Sequence, residues 1–191
     1  AQVQYDVETA TAASGGGNGA VEVVHITTRG LKYLSETGNL AGVTNTTVVT
    51  ITGTSLSADD CIVNNDIYFT SGDASGEGGT ITDYNGTTKV VTFTPAITAP
   101  SATDGYAIGP KIVISGDGQG ANVRCTVNST GGINATAVIS GGNNYSNASI
   151  TVLSNASQSN SFNPSPVAVL SPIIGPKGGH GSDAVQELGG F

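Results

Sequence analysis

The stretch Thr80-Ile-Thr-Asp-Tyr-Asn-Gly-Thr-Thr-Lys-Val-Val-Thr-Phe-Thr94 decides the fold class. On either side of Asn85-Gly86, apolar and β-branched residues alternate with polar ones, the period-2 pattern of half-buried strands. Asn-Gly readily supplies the positive φ angles of a two-residue hairpin turn. The reading is an antiparallel hairpin, Gly79–Asp83 joined to Lys89–Thr94, with Asn85-Gly86 at its tip. Outward from it, β-branched runs between Gly, Asn, Asp and Ser clusters recur at Val21–Thr27, Thr47–Thr52, Ile62–Phe69, Lys111–Ser115, Val123–Val127, Ile133–Ser140, Ser149–Leu153 and Val167–Leu170. Helical periodicity is nearly absent. The expected fold is all-β: antiparallel β-sandwich modules with Gly/Asn-rich turns, a long C-terminal loop or arm, and at most one short helix.

Composition supports a folded chain of this kind. Gly supplies 28 of 191 residues, and charged residues only 10%, against a typical share of about 25%. Thr (24), Ser (19) and Asn (15) carry the polar surface instead. Hydrophobic residues reach 37%, whereas disordered chains combine low hydrophobicity with high charge. Fourteen acidic against six basic residues give a net charge of −8, and Arg29, Lys32, Lys89, Lys111, Arg124 and Lys177 are scattered singly. That pattern excludes binding to a phosphate backbone and leaves no polybasic patch for an anionic membrane surface. No apolar run approaches the ~18 residues of a membrane span. The expected partners therefore include no nucleic acid and no membrane.

Organisation along the chain follows from an internal echo. Gly16–Tyr33 and Gly131–Tyr145 both read as a Gly-rich turn, an alternating strand and a Gly-x-x-Tyr ending, at Gly30-Leu-Lys-Tyr33 and Gly142-Asn-Asn-Tyr145. A glycine needed for the bend and a tyrosine covering the open end of a small sandwich explain the shared pattern. The expected division is a first β-module over 1–55, an inserted or adjacent module with the hairpin over 56–110, a second β-module over 111–153, and an extended loop and C-terminal arm over 154–191. In that arm, Asp183 and Gln186 are spaced as a capping box ahead of a short helix at Ala184–Leu188.

The motifs that carry chemistry are incomplete. Gly178-Gly-His-Gly-Ser-Asp-Ala-Val185 matches the calcium-binding nonapeptide, but only once, and stacked repeats share each ion. Gly72–Gly78 and Gly116–Gly120 read as turns. No P-loop follows a strand, His25 and His180 lack a nucleophile-elbow serine, and the adjacent Asp59-Asp60 point opposite ways on a strand. Cys61 and Cys125 read as two buried thiols, with a single long-loop disulfide as the alternative. Neither an enzyme nor a cofactor is expected, and the seven Asn-x-Ser/Thr sequons, at Asn45, Asn85, Asn128, Asn134, Asn144, Asn147 and Asn155, leave a glycosylated surface fibre open.

Ser171-Pro-Ile-Ile-Gly-Pro-Lys-Gly-Gly-His-Gly-Ser-Asp-Ala-Val-Gln-Glu-Leu-Gly-Gly190 resembles the Ser-Pro…Gly-Gly-His-Gly…Glu-Leu-Gly stretch of baseplate wedge proteins in T-even-type contractile-tailed phages, particularly marine and cyanophage members. The Gly-x-x-Tyr echoes look like strand-turn modules upstream of it. The resemblance implies a dimeric, non-enzymatic virion subunit of the tail baseplate, assembled in the host cytoplasm, and is compatible with a chain that continues past Phe191. Its implied structural and assembly residues are Gly30, Tyr33, Gly142, Tyr145, Gly178, Gly179, His180, Gly181, Asp183, Glu187, Leu188 and Phe191. The implied partners are copies of the chain and other virion subunits. The alternative expectation is an extracellular, glycosylated β-sandwich fibre or adhesin subunit that forms filaments.

Overall fold

The computed structural model describes residues 19–52, 55–153 and 164–175. Eleven strands run β1 Val21–Thr28, β2 Glu36–Asn45, β3 Val48–Ile51, β4 Asn65–Phe69, β5 Gly78–Asn85, β6 Val90–Thr94, β7 Gly105–Gly116, β8 Gln119–Val127, β9 Ile133–Asn143, β10 Ala148–Leu153 and β11 Val169–Ile174. Every strand pairing is antiparallel, so the all-β antiparallel expectation is met. The short helix expected at Ala184–Leu188 lies outside the described residues.

The largest sheet closes on itself. Its order is β10-β7-β2-β3-β6-β5-β4, and β4 pairs back onto β7 through Asn65↔Pro110 to Phe69↔Tyr106, leaving β10 outside the ring. The opposite edge of the same β7 segment holds β2, from Glu36↔Ile108 to Asn39↔Gly105. Six strands thus form a small barrel, and closure leaves no unpaired ladder edge within the ring. Strand alternation fills it. On β3, Val49 and Ile51 are buried, and on β6 Val91 and Phe93 are buried while Val90 and Thr92 sit only partly covered. With Leu40, Ile67, Phe69, Ile81, Tyr84, Tyr106 and Ile108 they make one core, in which the Phe69 and Phe93 rings meet at 5.8 Å.

A second core lies beyond the barrel. The ribbons β1–β11 and β8–β9, together with the β7–β10 pair, enclose Val21, Val24, Tyr33, Ile112, Val123, Cys125, Ile133, Tyr145, Val152, Ala168 and Leu170. Within residues 19–52, β1 contributes to the second core, whereas Leu40, Val49 and Ile51 contribute to the barrel.

The hairpin β5–β6 forms where the sequence places it, yet its turn is of a different kind. Neither Asn85 nor Gly86 has positive φ; Lys89 does, at 60°. The Asn85 side-chain carbonyl accepts the N–H groups of Thr87 (3.0 Å) and Thr88 (2.8 Å), and its backbone carbonyl accepts that of Lys89 (2.8 Å). Asparagine here closes a longer loop through its side chain. Gly86 answers a different demand: a Cβ on it would come within 2.3 Å of the Ser57 carbonyl oxygen. Because a backbone atom cannot yield as a flexible side chain does, Gly86→Ala is expected to destabilise the fold by about 1–3 kcal/mol, in the range of overpacking. Thr88→Ala at the same exposed loop stays within about 0.5 kcal/mol; urea unfolding of both variants checks the contrast.

Candidate functional site

The echoed segments meet each other. Gly19, Gly30, Lys32 and Tyr33 stand at one constant sequence offset from Gly131, Gly142, Asn144 and Tyr145. Their backbones match: φ is 65° at both Gly30 and Gly142, 67° at Lys32 and 63° at Asn144, 68° at Gly19 and 77° at Gly131. The docking is reciprocal. Tyr33 N–H donates to the Gly131 carbonyl (2.9 Å), and Tyr145 N–H donates to the Gly19 carbonyl (2.8 Å). Both turn glycines must also be bare, since a Cβ on Gly30 would lie 2.7 Å from the Ala168 nitrogen and one on Gly142 would lie 2.3 Å from the Gln119 carbonyl oxygen. The Tyr33 hydroxyl then accepts the Ala168 N–H at 2.9 Å. Tyr33 and Tyr145 both enter the second core, each docked on a glycine of the other echo, Gly131 and Gly19, rather than on each other. Gly178, Gly179, His180, Gly181, Asp183, Glu187, Leu188 and Phe191 lie outside the described residues, and of the arm over 154–191 only residues 164–175 are described.

A cleft of about 330 Å³ opens where the barrel meets the β8–β9 ribbon. Ser35, Thr37, Tyr68, Thr70 and Ala107 form one wall, and Arg124, Thr126, Ala135, Ala137 and Ile139 form the other. At its base the Arg124 guanidinium lies 3.8 Å from the Tyr68 ring centroid, a cation–π arrangement that favours arginine. Arg124 Nη2 donates to the Gly76 carbonyl (3.0 Å), while its Nε is buried without an acceptor.

A polar chain continues beneath. Lys111 Nζ donates to Thr80 Oγ1 (2.8 Å), Thr80 Oγ1 donates to Asp66 Oδ1 (2.8 Å), and Tyr68 OH donates to Asp66 Oδ2 (3.2 Å). Burial raises the Asp66 carboxyl above its usual range, partly opposed by Thr80 and Lys111. Burial, reinforced by the Asp66 charge, also raises the Tyr68 phenol.

Chemically, this arrangement binds better than it reacts. Burial pushes the Cys125 thiol up to about 12, with Asp66 adding to the shift, so the thiol bordering the cleft is protonated and inert at neutral pH. It donates weakly to the Pro110 carbonyl at 3.4 Å. Cys61 and Cys125 are both free and buried, one in each core. His25 is exposed on β1 opposite Ser171. Among the described residues, no group of three or more His, Cys, Asp or Glu side chains is placed to hold a metal ion, and no helix is long and apolar enough to cross a membrane.

The remaining carboxylates secure turns. Asp59 accepts Gly86 N–H (2.7 Å), Asp60 accepts Tyr84 N–H (3.3 Å), and buried Asp104 accepts Ser101 N–H (3.0 Å) and Ala74 N–H (3.4 Å). Asp117 accepts the N–H groups of Ser146 and Asn147 together with the Ser146 hydroxyl, and these bonds hold its carboxyl well below the usual carboxylate range. Sequence reasoning missed the Tyr68–Arg124–Asp66 cluster, because Arg124 and Lys111 appear only as isolated bases; the nearest signal is the Asp66-Ile-Tyr68 alternation, which puts both side chains on one strand face. No family model matches the chain, and neither a curated protein nor a solved structure matches it.

Three outcomes follow from this geometry. Tyr33→Phe leaves the buried Ala168 N–H without its acceptor and is expected to cost about 1–3 kcal/mol in urea unfolding. The Cys125, Tyr84 and Tyr106 groups are each raised to about 12, so the unfolded chain loses these protons first as pH rises. Stability present below pH ~9 is lost progressively toward pH ~12, and thermal melts across that range should fall monotonically. At pH 8 a thiol reagent should label neither cysteine until the protein is unfolded.

Proposed function

We propose that the chain is a non-enzymatic structural subunit of a phage virion, a tail baseplate wedge component that acts through contacts with copies of itself and with other virion subunits. The observation that carries the assembly reading is the outer face of β11. Val167, Val169 and Ile173 are 57%, 50% and 43% exposed, in a row set by the strand period, while Ala168 and Leu170 between them enter the core. Val167 and Val169 neighbour each other on this face and Ile173 follows beyond exposed Ser171; exposed apolar side chains grouped in this way favour burial against a partner. Ile173 itself falls within Ser171–Gly175, where the resemblance to baseplate wedge proteins begins.

Other features support the same reading. Asp59, Asp60, Asp104 and Asp117 hold backbone N–H groups of turns, Asp66 accepts the Thr80 and Tyr68 hydroxyls, and the Cys125 thiol is protonated, an arrangement that favours a structural role over general-base or nucleophilic chemistry. The sequon asparagines also have local work. Asn45 accepts Thr47 N–H (2.8 Å) and hydroxyl (2.9 Å), and Asn128 accepts Thr130 N–H (3.0 Å) and hydroxyl (2.7 Å). An Asn-x-Thr turn explains the spacing without a glycan.

The test is mass spectrometry of purified particles together with the intact mass of the native chain. Peptides of this chain in the tail fraction, from an unmodified polypeptide, are the expected result. Absence from particles, with hexose-sized mass increments on a secreted chain, would replace the virion reading with the extracellular fibre.

A further inference from the structure

The ribbon β1–β11 repeats the ribbon β8–β9 pair for pair. At the offset that relates Tyr33 to Tyr145, Val24, His25 and Ile26 of β1 correspond to Thr136, Ala137 and Val138 of β9. Their partners are Pro172, Ser171 and Leu170 in one ribbon and Cys125, Arg124 and Val123 in the other. Both register shifts coincide as well. The shift between Ile26 and Thr28, where the partners run from Leu170 to Val169, matches that between Val138 and Ser140, where they run from Val123 to Asn122. The shift between Val21 and Val23 matches that between Ile133 and Ala135. Inward residues correspond too: Ala168 and Leu170 stand where Ala121 and Val123 stand, and all four lie in or against the second core.

The two ribbons differ in how their strands are linked. Between β8 and β9, Asn128 closes a tight turn by accepting Thr130 N–H (3.0 Å) and Gly132 N–H (2.9 Å), so β8 pairs within its own chain by local constraint. β11 and β1 have no such link. Gly175 N–H donates to the Ala20 carbonyl at 2.8 Å, at the end of the ribbon where the other copy has its turn, yet these residues come from opposite ends of the described chain. On its N-terminal side the segment 164–175 is joined to β10 through residues 154–163, a connection that spans at most about 35–40 Å when extended.

We propose that β11 is an exchangeable strand: the groove along β1 accepts residues 164–175 from a second copy of this chain as well as from its own. The occupant is fixed by the groove's demands, which are Ala168, Leu170 and Ile174 at alternate positions inward, the Ala168 N–H on the Tyr33 hydroxyl, and the two register shifts. Exchange keeps every contact of β11 and changes only which copy supplies it, the condition under which strand swapping costs little. A short connection gives its own strand an effective concentration on the order of 1 mM. The closed monomer therefore prevails at micromolar concentration, and exchange competes as local concentration nears that value, as it does in an assembling array. The inference deepens the assembly reading proposed above and needs no particular location of the chain.

The test uses the full-length chain. Refolded from denaturant at about 0.5 mM, close to the effective concentration of a short connection, it should yield a dimer by sedimentation that survives rapid dilution and becomes monomer after a second unfolding and refolding at about 10 μM. Two full-length single variants, His25→Cys and Ser171→Cys, stand opposite each other in register. Refolded together at the high concentration and oxidised, they should form the mixed disulfide dimer at least fivefold above a His25→Cys plus Ser149→Cys control, whose residues are unpaired. Monomer at every refolding concentration, with no excess of the matched crosslink over the control, overturns the proposal. That result leaves the virion reading intact, which particle mass spectrometry tests separately.

Discussion

The architecture depends on one strand serving two cores. β7 is the longest strand of the fold, and its first half closes the barrel by pairing with β2 and β4, while its second half, Lys111–Gly116, pairs with β10. Ile108 points into the barrel core and Ile112 into the second core. Gly109-Pro110 lies between them, where a Cβ on Gly109 would come within 2.9 Å of the Cys125 carbonyl oxygen and where Pro110 accepts the Cys125 thiol. The strand has to pass β8 closely at the point where it changes cores, which calls for a residue without a side chain. Proline, having no N–H, leaves no donor unpaired there.

The same junction makes the cleft. β4 brings Asp66 and Tyr68 to one side of β7, β8 brings Arg124 and Cys125 to the other, the Arg124–Tyr68 contact ties the two, and the polar chain from Lys111 through Thr80 to Asp66 links β7, β5 and β4. The charge-poor composition has its counterpart throughout the turns. Short Asn and Asp side chains capture nearby N–H groups, as Asn45, Asn85, Asn128 and Asp117 do, so polar groups satisfy the backbone locally. Surface ion pairs are worth little in any case, so a charge-poor surface gives up little stability.

What was legible in the sequence follows from locality. Period-2 alternation marked ten of the eleven strands in whole or in part but neither β2, where Thr37-Gly-Asn39 and Ala41-Gly42 blur the pattern, nor the Gly105–Pro110 half of β7, and the Gly-x-x-Tyr echo marked two positions where glycine and tyrosine have geometric duties. Alternation says which face of a strand is buried without saying which strand lies beside it, so barrel closure through β4 and β7 and the pairing of β1 with β11 had no local signature. Asn85-Gly86 misled because the pair is compatible with more than one turn; the contact of Gly86 with Ser57, distant in sequence, selected the longer loop. The cleft residues Tyr68 and Arg124 carry no motif, since their relation is created by the two strands that flank β7.

The repeated ribbons also impose an order on folding. β8 and β9 are joined by a turn of a few residues, so their pairing has a small loop-closure cost and is available early. β11 and β1 enclose most of the chain between them, and their pairing becomes favourable only once intervening strands have brought them near. Until β11 arrives, Val24 and the Tyr33 hydroxyl lack the cover that Leu170 and the Ala168 N–H supply, and the edge of β1 is open. The second core is therefore complete only after the last described strand has docked, so under the exchange proposed above chain folding and association would draw on the same contacts along β1.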